Sequence, residues 1–536
     1  MAEYNDAKVI TAQTAEDLDG VLEYHVEGKY EGTDQDKLDM KVLGRSQETR
    51  RMFTWITMLG FGSTLIVTWE ALLASMGAII TNGGTAGMFW GFLIVIAGYL
   101  MVYSSIAEMA SMAATSGGQY HWVSEFAPPS TQKYLSYVTG WLGFTGWQSA
   151  ITALGYLIAS VIQALAILNY PSYVAERWHA SLIIICVVMI CIVFNTFFAK
   201  RLPLVESALA LLHFGGLFVV IIVLWTLAPR NNAHDVFLEF RNDGGWSSDG
   251  LSMLVGLYPL TFSLLGFDSQ VHMSEETSDA SWAMPRSIMW ATYINASLGF
   301  LMVITLIFTM GDLVELSKTA TGFPFVQLFY NATESYAGAT VLTVITMLPL
   351  WGSCIACIAT ASRQIWAFAR DSGVPFSNVV RQIYPRWSIP LNAIIISLFV
   401  CIGLSMINIA SVTALNAILA IDLAAILSSY TISIGCVALK RIRGEPLPVS
   451  KYSLGKWGLP INILALCWLV PIFFFTMFPA TTPVDAAGMN WGCLLFGSMF
   501  LFSTCYYLLR GRNEYISPRD RLHRELEGGL DMSRSR

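Results

Sequence analysis

Three of the carboxylates inside apolar stretches of this chain stand out, and chemistry is sought there first. Glu70 lies within the run 52–80, Asp268 near the end of the sixth such run, and Asp422 between Ile421 and Leu423. A charge at bilayer depth costs about 2.5–3.5 kcal/mol on insertion scales, so an acid there faces protein or a wet cavity and marks solute, ion or proton handling. Glu70 has three readings: it binds a solute amine, carries a coupled proton, or only hydrogen-bonds a neighbouring helix. Gly60, Gly62, Ser63, Thr64 and Thr68 surround it. This mixture predicts a helix opened locally, with free backbone groups turned to a cavity. Thr68, Trp69, Glu70 and Ala71 then form one wall of a candidate solute site.

The sixth run repeats the pattern with Pro259, Gly266 and Asp268. Phe262, Ser263 and Gly266 are the candidate second wall, and Asp268, just past the break, is assigned to proton coupling or gating. An interrupted helix leaves N–H groups bare at one half-helix start and C=O groups bare at the other half-helix end. The first attract anions and the second cations. The bland reading is that Gly and Pro here only permit tight packing. Asp422, in mid-span, must face the bundle interior and is a second coupling or gating candidate. Trp147 and Gln148 on the third run are candidate solute contacts. Trp69, Trp147, Phe262, Phe267 and Trp351 could cage a cation or simply pack. His213 reads as a proton relay or as a satisfied interior histidine. Glu275 and Glu276 at the cytosolic mouth read as gating or helix-terminating residues, and Arg363 and Arg370 most simply as cytosolic anchors, with an ion-pair gate between the two sets as the sharper alternative.

The elements that must position these residues follow from composition. The 536 residues are 55% hydrophobic and 13% charged, with a mean hydropathy of +0.56. That excludes an ordinary soluble domain, where charge runs near 25%. Twelve apolar runs are long enough to span about 30 Å of hydrocarbon: 52–80, 86–112, 135–168, 180–199, 203–228, 250–274, 287–310, 338–367, 389–409, 413–439, 458–479 and 490–510. The expected fold is an all-α integral membrane protein of 12 transmembrane helices. Breaks five spans apart point to a 5+5 inverted repeat, about 52–228 and 250–439, followed by two extra helices over 458–510. Within this transporter domain (51–510) no lysine or arginine is left for the middle of a span. All but four of the 31 Lys and Arg, namely Arg177, Arg230, Arg241 and Lys318, fall on the side of the N-tail. Positive charge prefers the cytosol, so both termini are expected there. The tails, 1–50 and 511–536, are polar; the first is acid-rich and aperiodic and is expected to be disordered. No cleavable signal peptide precedes the first span. Asn331 heads a glycosylation sequon on the outer side.

Other chemistries find little support. The nine cysteines scatter through apolar runs, which is not a disulfide framework. No metal-binding cluster, nucleophile–base pair or cofactor loop is visible, so metals, cofactors and an enzyme are not expected. There is no basic, aromatic-laced face for nucleic acid. The sequence carries no signal of oligomeric state.

More specific patterns give a family resemblance. Trp69-Glu70 and Asn82-Gly83-Gly84 on the first span, and Gly140-Trp141 with Gly146-Trp147-Gln148 on the third, are similar to motifs of fungal amino acid/choline permeases. So are His272 to Glu276 followed by Pro285-Arg286-Ser287, and the stretch Ser362 to Pro375. The chain therefore resembles that group of the amino acid–polyamine–organocation superfamily from about 50 to 510. The resemblance implies the leucine-transporter fold and a proton-coupled symporter, working by alternating access in the plasma membrane. It implies a small amine-containing solute, such as an amino acid, γ-aminobutyrate, choline or a related metabolite. The competing reading on the same fold is a non-transporting nutrient sensor. Asp422 stands where the group's pattern leads one to expect a small hydroxyl residue.

Overall fold

The computed structural model describes residues 30–170, 172–384, 387–486 and 488–521, which are almost wholly helical with no β-strand among them. A short helix α1 (Asp34–Val42) precedes the first span, which is split into α2 (Trp55–Ile66) and α3 (Thr68–Ala74). Then come α4 (Gly84–Met112), α5 (Gln119–Phe126), α6 (Gln132–Asn169), α7 (Arg177–Thr196) and α8 (Leu202–Leu227). The sixth span is α9 (Asp249–Phe262) and the one-turn α10 (Ser269–His272), followed by α11 (Ala280–Thr309). The later long helices are α12 (Tyr336–Arg370), α13 (Leu391–Ala410), α14 (Val412–Ile442), α15 (Gly458–Phe475) and α16 (Gly492–Tyr506), with shorter helices between them.

Eleven helices among the described residues are long and apolar enough to cross a membrane. The run expected as the sixth span is not one of them. Its α9 has 14 residues and covers only about 21 Å at 1.5 Å per residue. The chain then unwinds over 263–268. The other helices fall within several residues of their expected bounds.

Burial sorts the helices into an interior and a periphery. The most apolar windows of the first span and of α14 are each 78% buried, against 28% for α15 and 11% for α16. Around the two split helices pack α4, α8, α11 and α12, with α6 and α14 reaching the breaks through Trp147 and Tyr430; the last two helices flank α14, α15 also touching α9, and present apolar side chains outward. Periodicity within one helix cannot reveal this ordering, because lipid and protein interior are equally apolar.

The N-tail expectation needs a correction. Residues 30–51 are helix and ordered coil docked against the membrane body. Thr33 and Asp36 form a capping box on α1, and the Asp36 carboxylate also accepts from the N–H groups of Asp279 and Ala280 at the start of α11. Arg51 pairs with Asp36 at 3.1 Å, and Arg45 reaches both oxygens of Asp371. A charge-rich stretch without apolar periodicity can therefore fold by capping and ion pairing on a preformed surface. Residues 1–29 lie outside the described residues. The same surface holds the C-terminal segment through buried Tyr515 and Ser517, and we call it the tail face.

Candidate functional site

The first span breaks at Val67, which adopts φ 44°, ψ 49°. A β-branched residue in the left-handed region is a genuine outlier, of the kind that costs about 1–3 kcal/mol and gathers at functional sites. The bend comes after the glycine-rich stretch. Gly62 serves instead as a contact, since a Cβ there would overlap the side chain of Gln270 on α10. Its bare surface lets the two split helices touch. In the sixth span Pro259 lies inside α9, and Gly266 takes φ 106°, a conformation that favours glycine. Tyr103 on α4 satisfies the unwound backbone. Its hydroxyl donates to Leu264 O at 2.7 Å and accepts from Gly266 N–H at 3.1 Å. Ser353 on α12 does the same for the first break, donating to Leu65 O.

The two breaks share one cavity of about 40 Å3, room for about three waters at 10–15 Å3 each. Val67 and Ala71 line it from the first break, Phe262 and Gly266 from the second, and Trp147, Ser353, Cys357 and Asp422 close it. Asp422 is 2% exposed, and its Oδ1 is buried without a hydrogen-bond partner. On the side away from the tail face lies a second, wider cavity of about 530 Å3, lined by Tyr258, Pro259, Ala417 and Ala420 among others and sharing no lining residue with the first; we call it the vestibule.

Four of the nine expected solute contacts, Ala71, Trp147, Phe262 and Gly266, stand at this cavity. The other five are turned away, for a geometric reason. Val67 and Ala71 are four residues apart and share a helix face, so Thr68, Trp69 and Glu70 point elsewhere. Thr68 Oγ1 meets Asn295 of α11 at 3.4 Å. Trp69 donates its indole N–H to His213 O at 3.0 Å and stacks on that imidazole. Glu70, fully buried, holds His213 Nδ1 at 2.8 Å. Gln148 donates to Ser397 of α13 at 2.9 Å, and Ser263 bonds its own helix at Leu260 O. Of the other aromatics, Phe267 packs edge-on to Tyr103.

Behind the cavity, Asp268 accepts from Gln119 at 2.6 Å and from the Tyr430 hydroxyl, with His272 Nε2 3.8 Å away. Further toward the tail face the bundle is closed by ion pairs. Arg363 Nε donates to Glu276 at 2.7 Å, and Arg370 Nη2 to Glu275 at 2.5 Å. Arg363 and Arg370 lie two turns apart on α12, and the two acids follow α10. Met52 and Phe53 N–H groups both donate to Glu276 O, stitching the entry to the first span onto the same loop. Asp371 collects Arg45 at 2.7 Å, Tyr120 at 2.9 Å and Arg521 at 3.2 Å. Burial raises the Glu275 carboxyl, but the adjoining Arg370 guanidinium, Arg45 and the Ser116 N–H together outweigh it and leave the group below its ordinary value. Asp371 is likewise raised by burial and held low overall by Arg45 and Arg521. Both are charged throughout the physiological range.

Glu206 on α8 escaped the sequence reading. It is fully buried, accepts from Thr64 of α2 at 2.5 Å and leaves Oε1 unpartnered. Its closeness to Lys200 and Arg201 disguises it as an interfacial residue. The signal that finds it is its spacing of seven from His213, which puts both on the face of α8 that meets the first span. Asn331 is exposed but lies in the helix Pro324–Thr333, its amide donating to Glu315 at 3.2 Å.

Known proteins are similar to this chain in sequence. The profile of the amino acid permease family matches residues 53–499. A Macrophomina phaseolina protein named for amino acid/polyamine transport is 31% identical over 81% of this chain and 96% of its own length. A choline transporter of Saccharomyces cerevisiae is 28% identical over 87% of this chain and 82% of its own. Amino-acid permease 2 of Neurospora crassa is 27% identical over 89% and 88%. This chain belongs to the amino acid permease family and is a multi-pass membrane transporter.

Proposed function

We propose that the protein is a proton-coupled symporter for a small amine-containing solute, acting by alternating access in the plasma membrane with both tails in the cytosol. The observation that carries this reading is the cavity where two split helices meet, with a vestibule on one side and stacked ion pairs on the other. Breaks in the first and sixth spans are the arrangement expected of two inverted five-helix repeats meeting at a midplane site. The named relatives, an amino acid/polyamine transporter, a choline transporter and an amino-acid permease, support the amine class.

The cycle follows from which contacts can break. With the tail face closed, solute reaches the cavity from the vestibule. Passage to the cytosol requires Arg363 to leave Glu276, Arg370 to leave Glu275 and Arg45 to leave Asp371. A cavity of about 40 Å3 is smaller than an amine of amino-acid size, so α3 and α9 move apart to admit it. The coupled proton is assigned to the Glu70–His213 pair behind Ala71. The 2.8 Å contact between Glu70 Oε1 and His213 Nδ1 lets a proton pass between the two groups. Motion of α3 against α8 changes that separation, linking proton binding to opening.

The test is uptake by purified protein in vesicles with an imposed pH gradient. Acid outside should drive accumulation, and Glu70→Gln should abolish the drive while the protein still inserts and folds. Gradient-independent uptake, or wild-type coupling in the Gln variant, removes the pair from the mechanism. Binding without flux assigns the chain to the sensors.

A further inference from the structure

The charge balance of the cavity is incomplete, and its completion identifies what is bound there. Asp422 is the one carboxylate among the cavity-lining residues, and neither lysine, arginine nor histidine joins it. Its Oδ1 is buried and unpartnered, a state that is costly for a carboxylate unless a cation meets it. The nearest other acid, Asp268, is occupied by Gln119 and Tyr430 and offers nothing to neutralise a second negative charge. The two longer half-helices add to the same sign, against the opposite end of the seven-residue α3, which starts beside Val67. α2, with 12 residues, ends at Ile66, and α9, with 14, ends at Phe262; both terminal residues line the cavity. A helix C-terminus carries roughly half a negative charge. The rings of Trp147 and Phe262 add π-faces, which attract cations.

We infer that Asp422 is the counter-ion for the solute's positive charge and that it makes the site select organic cations over carboxylate-bearing zwitterions of similar size. This rests on the reading of the cavity as the solute site and deepens it. The ammonium lies between the Asp422 carboxylate and the C-terminal carbonyl ends of α2 and α9. A carboxylate on the same small solute meets those groups at close range and is repelled. Asp422 is thereby a specificity residue rather than the proton carrier the sequence pattern allowed.

The test uses the purified full-length protein in lipid nanodiscs, with thermal stabilisation as the binding readout and vesicle uptake as a separate one. The probes are choline, its uncharged carbon isostere 3,3-dimethylbutanol, putrescine and glycine betaine. Choline or putrescine should stabilise the wild type, with the isostere and betaine weaker by about 30-fold or more, the scale for truncating one partner of a buried charge pair. Asp422→Asn should weaken the cations by a similar factor and leave betaine unchanged, while Asp422→Glu should restore part of the cation affinity. Betaine or the isostere binding as tightly as choline overturns the inference on the wild type alone, whatever the variants do. So does an Asn variant that binds choline like the wild type, or a wild type that no cation stabilises. Cation-selective binding without uptake upholds the inference and fails the transport reading instead.

Discussion

Glu276→Gln is the sharpest perturbation of the closed tail face. Arg363 is 1% exposed, and its Nε and Nη2 meet the two Glu276 oxygens at 2.7 and 3.4 Å. Removing one member of a buried pair costs about 3–5 kcal/mol. Glutamine keeps one acceptor oxygen, so the lower figure applies. When the face opens, Arg363 regains water, and the penalty falls on the closed state alone. About 3 kcal/mol is a shift on the order of 100-fold toward the open state, at 1.4 kcal/mol per tenfold. Cys357 supplies a native reporter, because it is a free thiol, buried, and lines the cavity. Its labelling by a membrane-impermeant thiol reagent applied to the tail face, read by peptide mass, should accelerate by that order. Adding Arg363→Gln should reverse much of the gain, since replacing both partners leaves no unpaired buried charge. Labelling of Glu276→Gln at the wild-type rate would refute the gate, as would a double variant as fast as the single.

Further outcomes follow from the same geometry. The depressed Glu275 and Asp371 pKa values mean that their pairs contribute fully above the ordinary carboxylate value near 4 and are lost only as pH falls through the lower values in the closed state. In a Glu70→Gln background, Cys357 labelling from the tail face, divided at each pH by the rate of a free thiol to remove the thiolate fraction, should therefore be flat from about pH 5 to 8; a rise within that window contradicts the assignment. Gly266→Ala puts a side chain at φ 106° with its Cβ 3.3 Å from Leu65 and 3.5 Å from Trp147. It should cost about 1–3 kcal/mol in thermal stability and depress uptake, and an unchanged melt speaks against the break. Gly62→Ala should force Gln270 aside at about 1–3 kcal/mol, measured the same way. Glu206→Gln keeps an acceptor for Thr64 and should fall within about 1 kcal/mol of wild type; a larger loss means that Glu206 is ionised in this state.

The sequence located both interruptions, because acids, glycines and a proline inside apolar runs are costly unless a cavity receives them. It could not locate the bend itself. Val67 has no helix-breaking character and is held left-handed by its surroundings, with Ser353 bonding the adjacent Leu65 carbonyl. That one-residue offset decided which side chains face inward: Ala71 lines the cavity, while Glu70 turns to His213. The ion pairs were legible only in part: Arg363 and Arg370 recur two helical turns apart and adjacent acids stand at the same mouth, but in sequence alone these arginines read first as cytosolic anchors. The docked tails were not, since a charged, aperiodic segment looks solvated until its partners are known. Asp36 finds the start of α11, and Arg45 finds Asp371 more than 300 positions along the chain. Glu206 was hidden by basic neighbours rather than by any weakness of the rule that intramembrane acids deserve notice.

A structure of the protein in a lipid bilayer, determined at saturating concentration of a solute it transports, bears most directly on all of this. The account predicts solute density between Val67 and Gly266, against Trp147, with both spans still interrupted there. Solute lodged elsewhere, or a continuous helix through residue 67 or 266, would contradict it.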